Sequence, residues 1–152
     1  MSDEVTISAG QPSARNKAMD FLARREHSEQ EIRHKLRSRE FDEDAIESAI
    51  DGLKEDGLLS DQRFTEAYVY QRFNAGYGPL KIRYELQQKG VDSSLVDACL
   101  MPLDDDWQQS MQQQRARKFG AVLPEDYRER MKQARFLQNR GFSPESVMRL
   151  FR

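Results

Sequence analysis

Apolar residues recur along this chain at three- and four-residue intervals, a pattern that predicts helices and little else. Ala18, Phe21 and Leu22 form one stripe, Ile32 and Leu36 a second, and Ala45, Ile46, Ala49, Ile50 and Leu53 a third. Phe64, Ala67 and Tyr68 begin another, and Trp107, Met111 and Phe119 one more. No stretch alternates apolar and polar residues for long enough to specify a strand. Between the stripes stand helix-ending and helix-starting residues. Ser28 with Glu31 is a capping box, the serine oxygen accepting from a free backbone N–H and the glutamate answering it. Asp42, Asp92 and Ser143 are N-cap residues, and Asp56-Gly57 and Gly90 close helices. Pro79 follows Gly78 at a first helical position, where its missing N–H costs nothing. A further helix is expected from about Pro124.

The stripes repeat. EIRHKLRSREFDEDAIESAI, from Glu31, lies over KIRYELQQKGVDSSLVDACL, from Lys81, without a gap at an offset of fifty. Ile32 then matches Ile82, Leu36 matches Leu86, Phe41 matches Val91, Ile46 matches Val96 and Ile50 matches Leu100, and the caps Asp42 and Asp92 coincide. KQARFLQNRGFSPESVMRLF is a third copy, shifted by fifty-one, in which Leu137, Phe142, Val147 and Phe151 hold the apolar places and Gln133 replaces the isoleucine. The fold expected is all-α: three tandem three-helix repeats over residues 14–59, 60–103 and 104–152, forming an elongated, curved helical array. Residues 1–13 are expected to be a disordered tail. Each repeat is too small to bury its faces alone, so neighbours share a core.

Composition fits that picture. Charged residues make up 33% of the 152 and hydrophobic ones 38%, which implies much surface for the amount of core. The N-terminal residues carry acids and no apolar block, unlike a signal peptide, and no run of about 18 apolar residues suggests a membrane span. With the lone Cys99, these features lead us to expect a cytoplasmic protein with no membrane association. The net charge of −2 hides alternating blocks: +3 over residues 14–41, −7 over 42–61, +3 over 62–90, −5 over 91–106 and +6 over 107–152. A basic face is therefore compatible with an acidic average.

Chemistry is sparse. His27 and His34 are the only histidines, and neither a zinc-type spacing nor a glycine-rich phosphate loop occurs. Cys99 falls at an apolar helical position beside Val96 and Leu100. Neither catalytic residues, a cofactor nor a metal is expected; the chain reads as a binding protein, not an enzyme. One binding reading makes the last two helices of each repeat a helix-turn-helix DNA reader. The later helices, DEDAIESAIDGLKED and DSSLVDACLM, are acidic and would be repelled by phosphate, and only SPESVMRLFR carries cations, Arg149 and Arg152. The other reading starts from the earlier helices, where Arg24, Arg25, Arg33, Lys35, Arg37 and Arg39, then Lys81, Arg83 and Lys89, then Arg115, Arg117, Lys118, Arg128, Arg130, Lys132, Arg135 and Arg140 concentrate the positive charge. Stacked in register, these helices would offer a basic stripe for an acidic groove or a phosphate backbone.

The segments HSEQEIRHKL, LSDQRF, GYGPLKIRYELQQKGV, ARKFG and RFLQNRGFSPESV, in this order and spacing, resemble the RecX regulatory proteins of bacteria. The resemblance runs from about Ala14 to the C-terminus, with GYGPxxIxxELxxKG its most specific part. It implies three tandem three-helix repeats, in agreement with the internal repeat. It also implies binding to the RecA recombinase and to its filament on single-stranded DNA, with inhibition of ATPase, strand exchange and coprotease-promoting activities, and hence modulation of DNA repair and the SOS response. Weak, sequence-independent DNA binding is a further implication, and a monomer is expected. From charge and repeat position, the partner contacts expected are Arg24, Arg25, Lys35, Arg37, Lys81, Arg83, Lys89, Arg117, Lys118, Arg135 and Arg140, with Tyr77 and Tyr84 as aromatic anchors. The alternative is a non-enzymatic helix-turn-helix-like DNA-binding protein.

Overall fold

The computed structural model describes residues 13–152. Most of the expected N-terminal tail lies outside the described residues; Ser13, in extended backbone, is the N-cap of the first helix, and its side chain accepts from Asn16 N–H at 3.0 Å. Among the described residues the secondary structure is entirely helical: α1 (Ala14–Arg24), α2 (Glu29–Ser38), α3 (Glu43–Glu55), α4 (Asp61–Asn74), α5 (Pro79–Gln88), α6 (Ser93–Leu100), a short 3₁₀ turn (Met101–Leu103), α7 (Trp107–Phe119), α8 (Tyr127–Asn139) and α9 (Pro144–Leu150). The chain divides into two compact units, one running to Phe64 and including Lys89–Val91, the other made of Thr65–Gln88 and Asp92–Arg152.

In the first unit α1, α2 and α3 close over a core of Ala14, Ala18, Phe21, Ile32, Leu36, Ile46, Ala49, Ile50, Leu53 and Leu59. The three apolar stripes supply all of these but Ala14 and Leu59, with the stripe residues Leu22 and Ala45 partly buried against them, and burying each large one stabilises the fold by roughly 1.5–3 kcal/mol. Side chains take up part of the free donors at the helix starts. Ser28 and Glu31 form the capping box in both directions, each bond 3.1 Å long. Asp61 reaches back from α4 and accepts from Glu29 N–H at 2.8 Å, so two side chains serve the free donors of α2. Asp42 caps α3 through Ala45 N–H at 2.8 Å.

The second unit buries Met111, Ala134, Leu137, Phe142, Val147 and Phe151, with Trp107, Phe136 and Leu150 packed against them. Val69, Ile82, Leu86, Val96 and Leu100 are buried as well. Asp92 and Ser143 cap α6 and α9 as their repeat positions require. Helix α8 starts later than the periodicity suggests. Asp126 caps it through Glu129 N–H at 3.0 Å, while the carbonyl of Pro124 is taken by Arg130 Nε at 2.8 Å. Helix α5 is started by backbone. The N–H groups of Gly78 and Leu80 donate to the carbonyls of Arg140 and Gly141 at 2.8 and 3.0 Å. A Cβ at Gly78 would stand 2.5 Å from the Gly141 carbonyl carbon, so only glycine fits. Gly141 in turn has φ +105°, and its hydrogen face meets the Cβ of Lys81.

The third repeat departs from the pattern in its core. Gln133, at the place of Ile32 and Ile82, is buried and accepts from Arg115 Nη1 at 3.0 Å while donating to Glu129 at 3.2 Å. Arg115 also donates to the carbonyls of Gly120 and Ala121 at 2.7 and 3.2 Å. A polar pair thus replaces an apolar contact, with its donors and acceptors satisfied inside the protein.

Candidate partner-binding surface

In the first unit the basic residues of α2 point two ways, because helical neighbours three or four apart share a face. Arg33 and Arg37 face α3 and its acids. Arg33 grips Glu47 with Nε at 2.7 Å and Nη2 at 3.1 Å, and Arg37 grips Glu43 with two bonds of 2.9 Å. The bonds to Arg33 and Arg37 hold Glu47 and Glu43 below the usual carboxylate range. The acidic block over residues 42–61 therefore serves in part to brace α3 on α2.

Lys35 and Arg39 face the other way, toward the end of α1. With Arg24 and Arg25 they line a cleft of about 400 Å³ around Phe21 and His27. The Lys35 ammonium sits 4.9 Å from the Phe21 ring centroid and the Arg39 guanidinium 5.5 Å from it. His27 is 1% exposed, its Nδ1 3.1 Å from the carbonyl of Arg25. A carbonyl only accepts, so Nδ1 carries the proton and Nε2 accepts from Lys35 Nζ at 2.8 Å. Burial pushes the imidazole pKa below its ordinary value. Burial also lowers that of Lys35, helped by the like charge of Arg25. The carboxylate beside the cleft, Glu31, is already engaged: it accepts from both terminal nitrogens of Arg25, from Lys89 Nζ at 3.3 Å and from Ser28 N–H.

The second unit builds a different arrangement. The Tyr77 ring lies 3.8 Å from the Arg72 guanidinium, 4.7 Å from that of Arg140 and 5.6 Å from the Lys81 ammonium. Glu85 holds Arg72 with two bonds of 2.9 and 2.8 Å and accepts from the Tyr68 hydroxyl at 2.8 Å. Arg140 also lies over Phe136, as does Lys118, at 5.5 and 5.0 Å.

Among the expected contact residues, then, Arg24, Arg25 and Lys35 converge on one cleft, and Tyr77, Lys81, Lys118 and Arg140 form a chain of cation–ring contacts. Arg37 is drawn off to Glu43, and Arg83 to Asp97 at 3.1 Å. Lys89 turns to Glu31 instead of outward. Tyr84 is 61% exposed, as its position off the buried stripe predicts, and Arg117 and Arg135 are exposed too. Arg115, counted among the surface cations in the sequence, is 3% exposed and belongs to the core. Sequence reasoning left Arg39 and Arg72 out of the contact set. Arg39 is one turn after Lys35 on the same face and was legible; Arg72 has Leu22 at its repeat position and carried no signal. Cys99 is half-buried, and burial raises its thiol pKa, the opposite of what a nucleophile needs.

The families described as RecX first, second and third three-helix domain match residues 14–53, 60–100 and 104–151 in turn. The chain belongs to the RecX family. The Regulatory protein RecX of Pseudomonas fluorescens (strain SBW25) is 46% identical over 138 residues, covering 91% of this chain and 89% of that one. That of Ectopseudomonas mendocina (strain ymp) is 44% identical over 140 residues, covering 92% and 93%. The crystal structure of RecX from Lactobacillus salivarius superposes with a TM-score of 0.75 at 26% identity, over 88% of this chain and 89% of that one. A second crystal structure of a regulatory protein RecX shares the fold, with a TM-score of 0.76 over 91% of this chain. The RecX three-helix domain therefore accounts for the repeat read at offsets of fifty and fifty-one. No helix among the described residues is long and apolar enough to cross a membrane, and no group of three potential metal ligands forms among them.

Proposed function

We propose that this chain is a cytoplasmic regulator that binds the RecA recombinase and its filament on single-stranded DNA, and restrains ATPase, strand exchange and coprotease activity without chemistry of its own. The observation that carries this reading is the match of all three repeats, over about nine-tenths of the chain, to proteins named Regulatory protein RecX. Physical support comes from cations that have no carboxylate partner among the described residues: Arg24, Lys35 and Arg39 in the first unit, and Lys81, Lys118, Arg135 and Arg140 in the second. Side chains of this kind attract an acidic protein groove or a phosphate backbone. The repeats, divided at residues 59 and 103, act as modules of one monomer, and several weak attachments on a single chain reinforce each other through effective concentration.

Binding of the labelled protein to RecA filaments, to RecA alone and to bare DNA tests the reading. The filament is the preferred target, and bare DNA binds weakly with a steep dependence on salt. Tight binding to one duplex sequence, in the absence of filament binding, would establish the helix-turn-helix reader instead.

A further inference from the structure

Exposed lysines and arginines on helices are ordinarily solvated, and several on this chain, among them Arg33, Arg37, Arg72 and Arg83, are held by a carboxylate. The cleft between the end of α1 and the second half of α2 is different. Arg24, Arg25, Lys35 and Arg39 converge there on one concavity of about 400 Å³, with Lys35 half-buried at its wall. Glu31, the carboxylate at its edge, is shared between Arg25, Lys89 and the α2 cap. Arg24 has no hydrogen bond or ion pair among the described residues, and Arg39 has its position over the Phe21 ring but no carboxylate. Lys35 spends one of its three N–H donors on His27, which leaves two.

Like charges gathered in a partly desolvated cleft cost free energy, and an anion placed among them would recover it. We propose that this cleft, bounded by Arg24, Lys35 and Arg39, is a binding site for a phosphate group. Guanidinium forks match the spacing of phosphate oxygens, and an ammonium supplies a point charge that complements them. Three cations lack a carboxylate, so a ligand with repeated negative charge neutralises the site better than a single side-chain carboxylate does. His27 contributes as a positioning residue: its Nδ1–H on the Arg25 carbonyl fixes the ring, and Nε2 fixes the Lys35 ammonium. The inference does not depend on the RecA reading, since it concerns the ligand of one cleft and not the identity of the protein partner.

The test is an NMR titration of the full chain with inorganic pyrophosphate, then with a short oligothymidylate, at constant ionic strength set with chloride. Saturable shifts confined to Arg24–Ser28 and Lys35–Arg39 are expected. The double variant Arg24→Gln/Arg39→Gln, which removes two exposed side chains, should weaken pyrophosphate at least about tenfold, as loss of charge-assisted hydrogen bonds does. Arg128→Gln, on α8, should leave it unchanged. Equal local shifts with oligothymidylate at lower concentration identify the phosphate as a backbone phosphodiester; shifts with pyrophosphate alone identify a free phosphate compound. Shifts spread evenly over all basic residues, no saturation, or unaltered affinity in the double variant would overturn the proposal.

Discussion

The hydroxyl of Ser28 donates to the carbonyl of Lys89 at 2.8 Å, across 61 residues of chain. The second unit has a counterpart, where Gly78, fifty residues after Ser28, donates its backbone N–H to the carbonyl of Arg140, fifty-one residues after Lys89, also at 2.8 Å. The start of one repeat's middle helix thus meets the turn after the next repeat's middle helix, twice. At the first junction Gly90 lies against Gln30; at the second Gly141 lies against Lys81. The repeat seen in the sequence is a repeat of junctions as well as of helices.

The second junction should be intolerant of any added atom at Gly78. A Cβ there meets backbone, not a flexible side-chain end, so Gly78→Ala forces the Arg140–Gly141 turn away and weakens two hydrogen bonds. The expected cost is roughly 3 kcal/mol, a fall in thermal midpoint of about 6–12 °C followed by circular dichroism. Gly52→Ala is the contrast. It lies inside α3 with only the end of the Arg15 side chain nearby, so its midpoint should hold or rise slightly.

Restoring the repeat's isoleucine in the third copy should harm it. Gln133→Ile leaves Arg115 Nη1 buried without its acceptor, at a cost of about 2 kcal/mol. Adding Arg115→Met removes the stranded charge, so the double variant should lose less than the two single variants together. Strict additivity in that cycle would mean that the two side chains do not support each other.

Stability should fall on mild acidification through His27. Burial, with Arg25 and Lys35 nearby, holds its folded-state pKa below the ordinary value of about 6.5, against the opposing Arg25 carbonyl and Glu31. The unfolded chain therefore takes up the proton first. Stability is full above about pH 6.5 and declines as pH drops toward the folded-state value. Glu31, Glu43 and Glu47 have lowered values, and their contributions are lost only below about pH 4.5. Urea midpoints measured between about pH 7.5 and 5.5 should slope for the natural chain and lie flat for His27→Asn. An unchanged slope in the variant assigns the effect elsewhere.

Arg83 and Asp97 occupy the repeat positions of Arg33 and Glu47, and both pairs are closed. Arg83→Glu places two acids together and should cost about 1 kcal/mol, with the swapped pair Arg83→Asp/Asp97→Arg regaining most of it. Filament binding discriminates the two roles of this arginine. If Arg83 only braces α6 on α5, the swap restores binding along with stability; if it touches the partner, stability returns and binding does not.

Much of this was legible in the chain. Apolar spacing and caps are local signals, so the helices and the starts at Ser28, Asp42, Asp92 and Ser143 follow from residues within one turn. The offset of Ile32 from Ile82 carried the architecture. What escaped was the choice of partner for each charge, because the sequence shows a lysine or arginine but not the side chain facing it. Arg115 looked like its neighbours Arg117 and Lys118, yet Gln133, eighteen residues on, draws it into the core. Lys89 looked outward-facing, yet Glu31, fifty-eight residues earlier, holds it. Gly78 was read correctly as a helix start, while its closeness to the Gly141 backbone depended on a turn sixty-three residues away that no local signal encodes.

The central claim, a regulator of the RecA filament, is tested most directly by titrating the purified chain into RecA hydrolysing ATP on single-stranded DNA. The account predicts a progressive fall in the hydrolysis rate that saturates, and that weakens as salt is raised. A rate unaffected at every ratio of protein to RecA would contradict it.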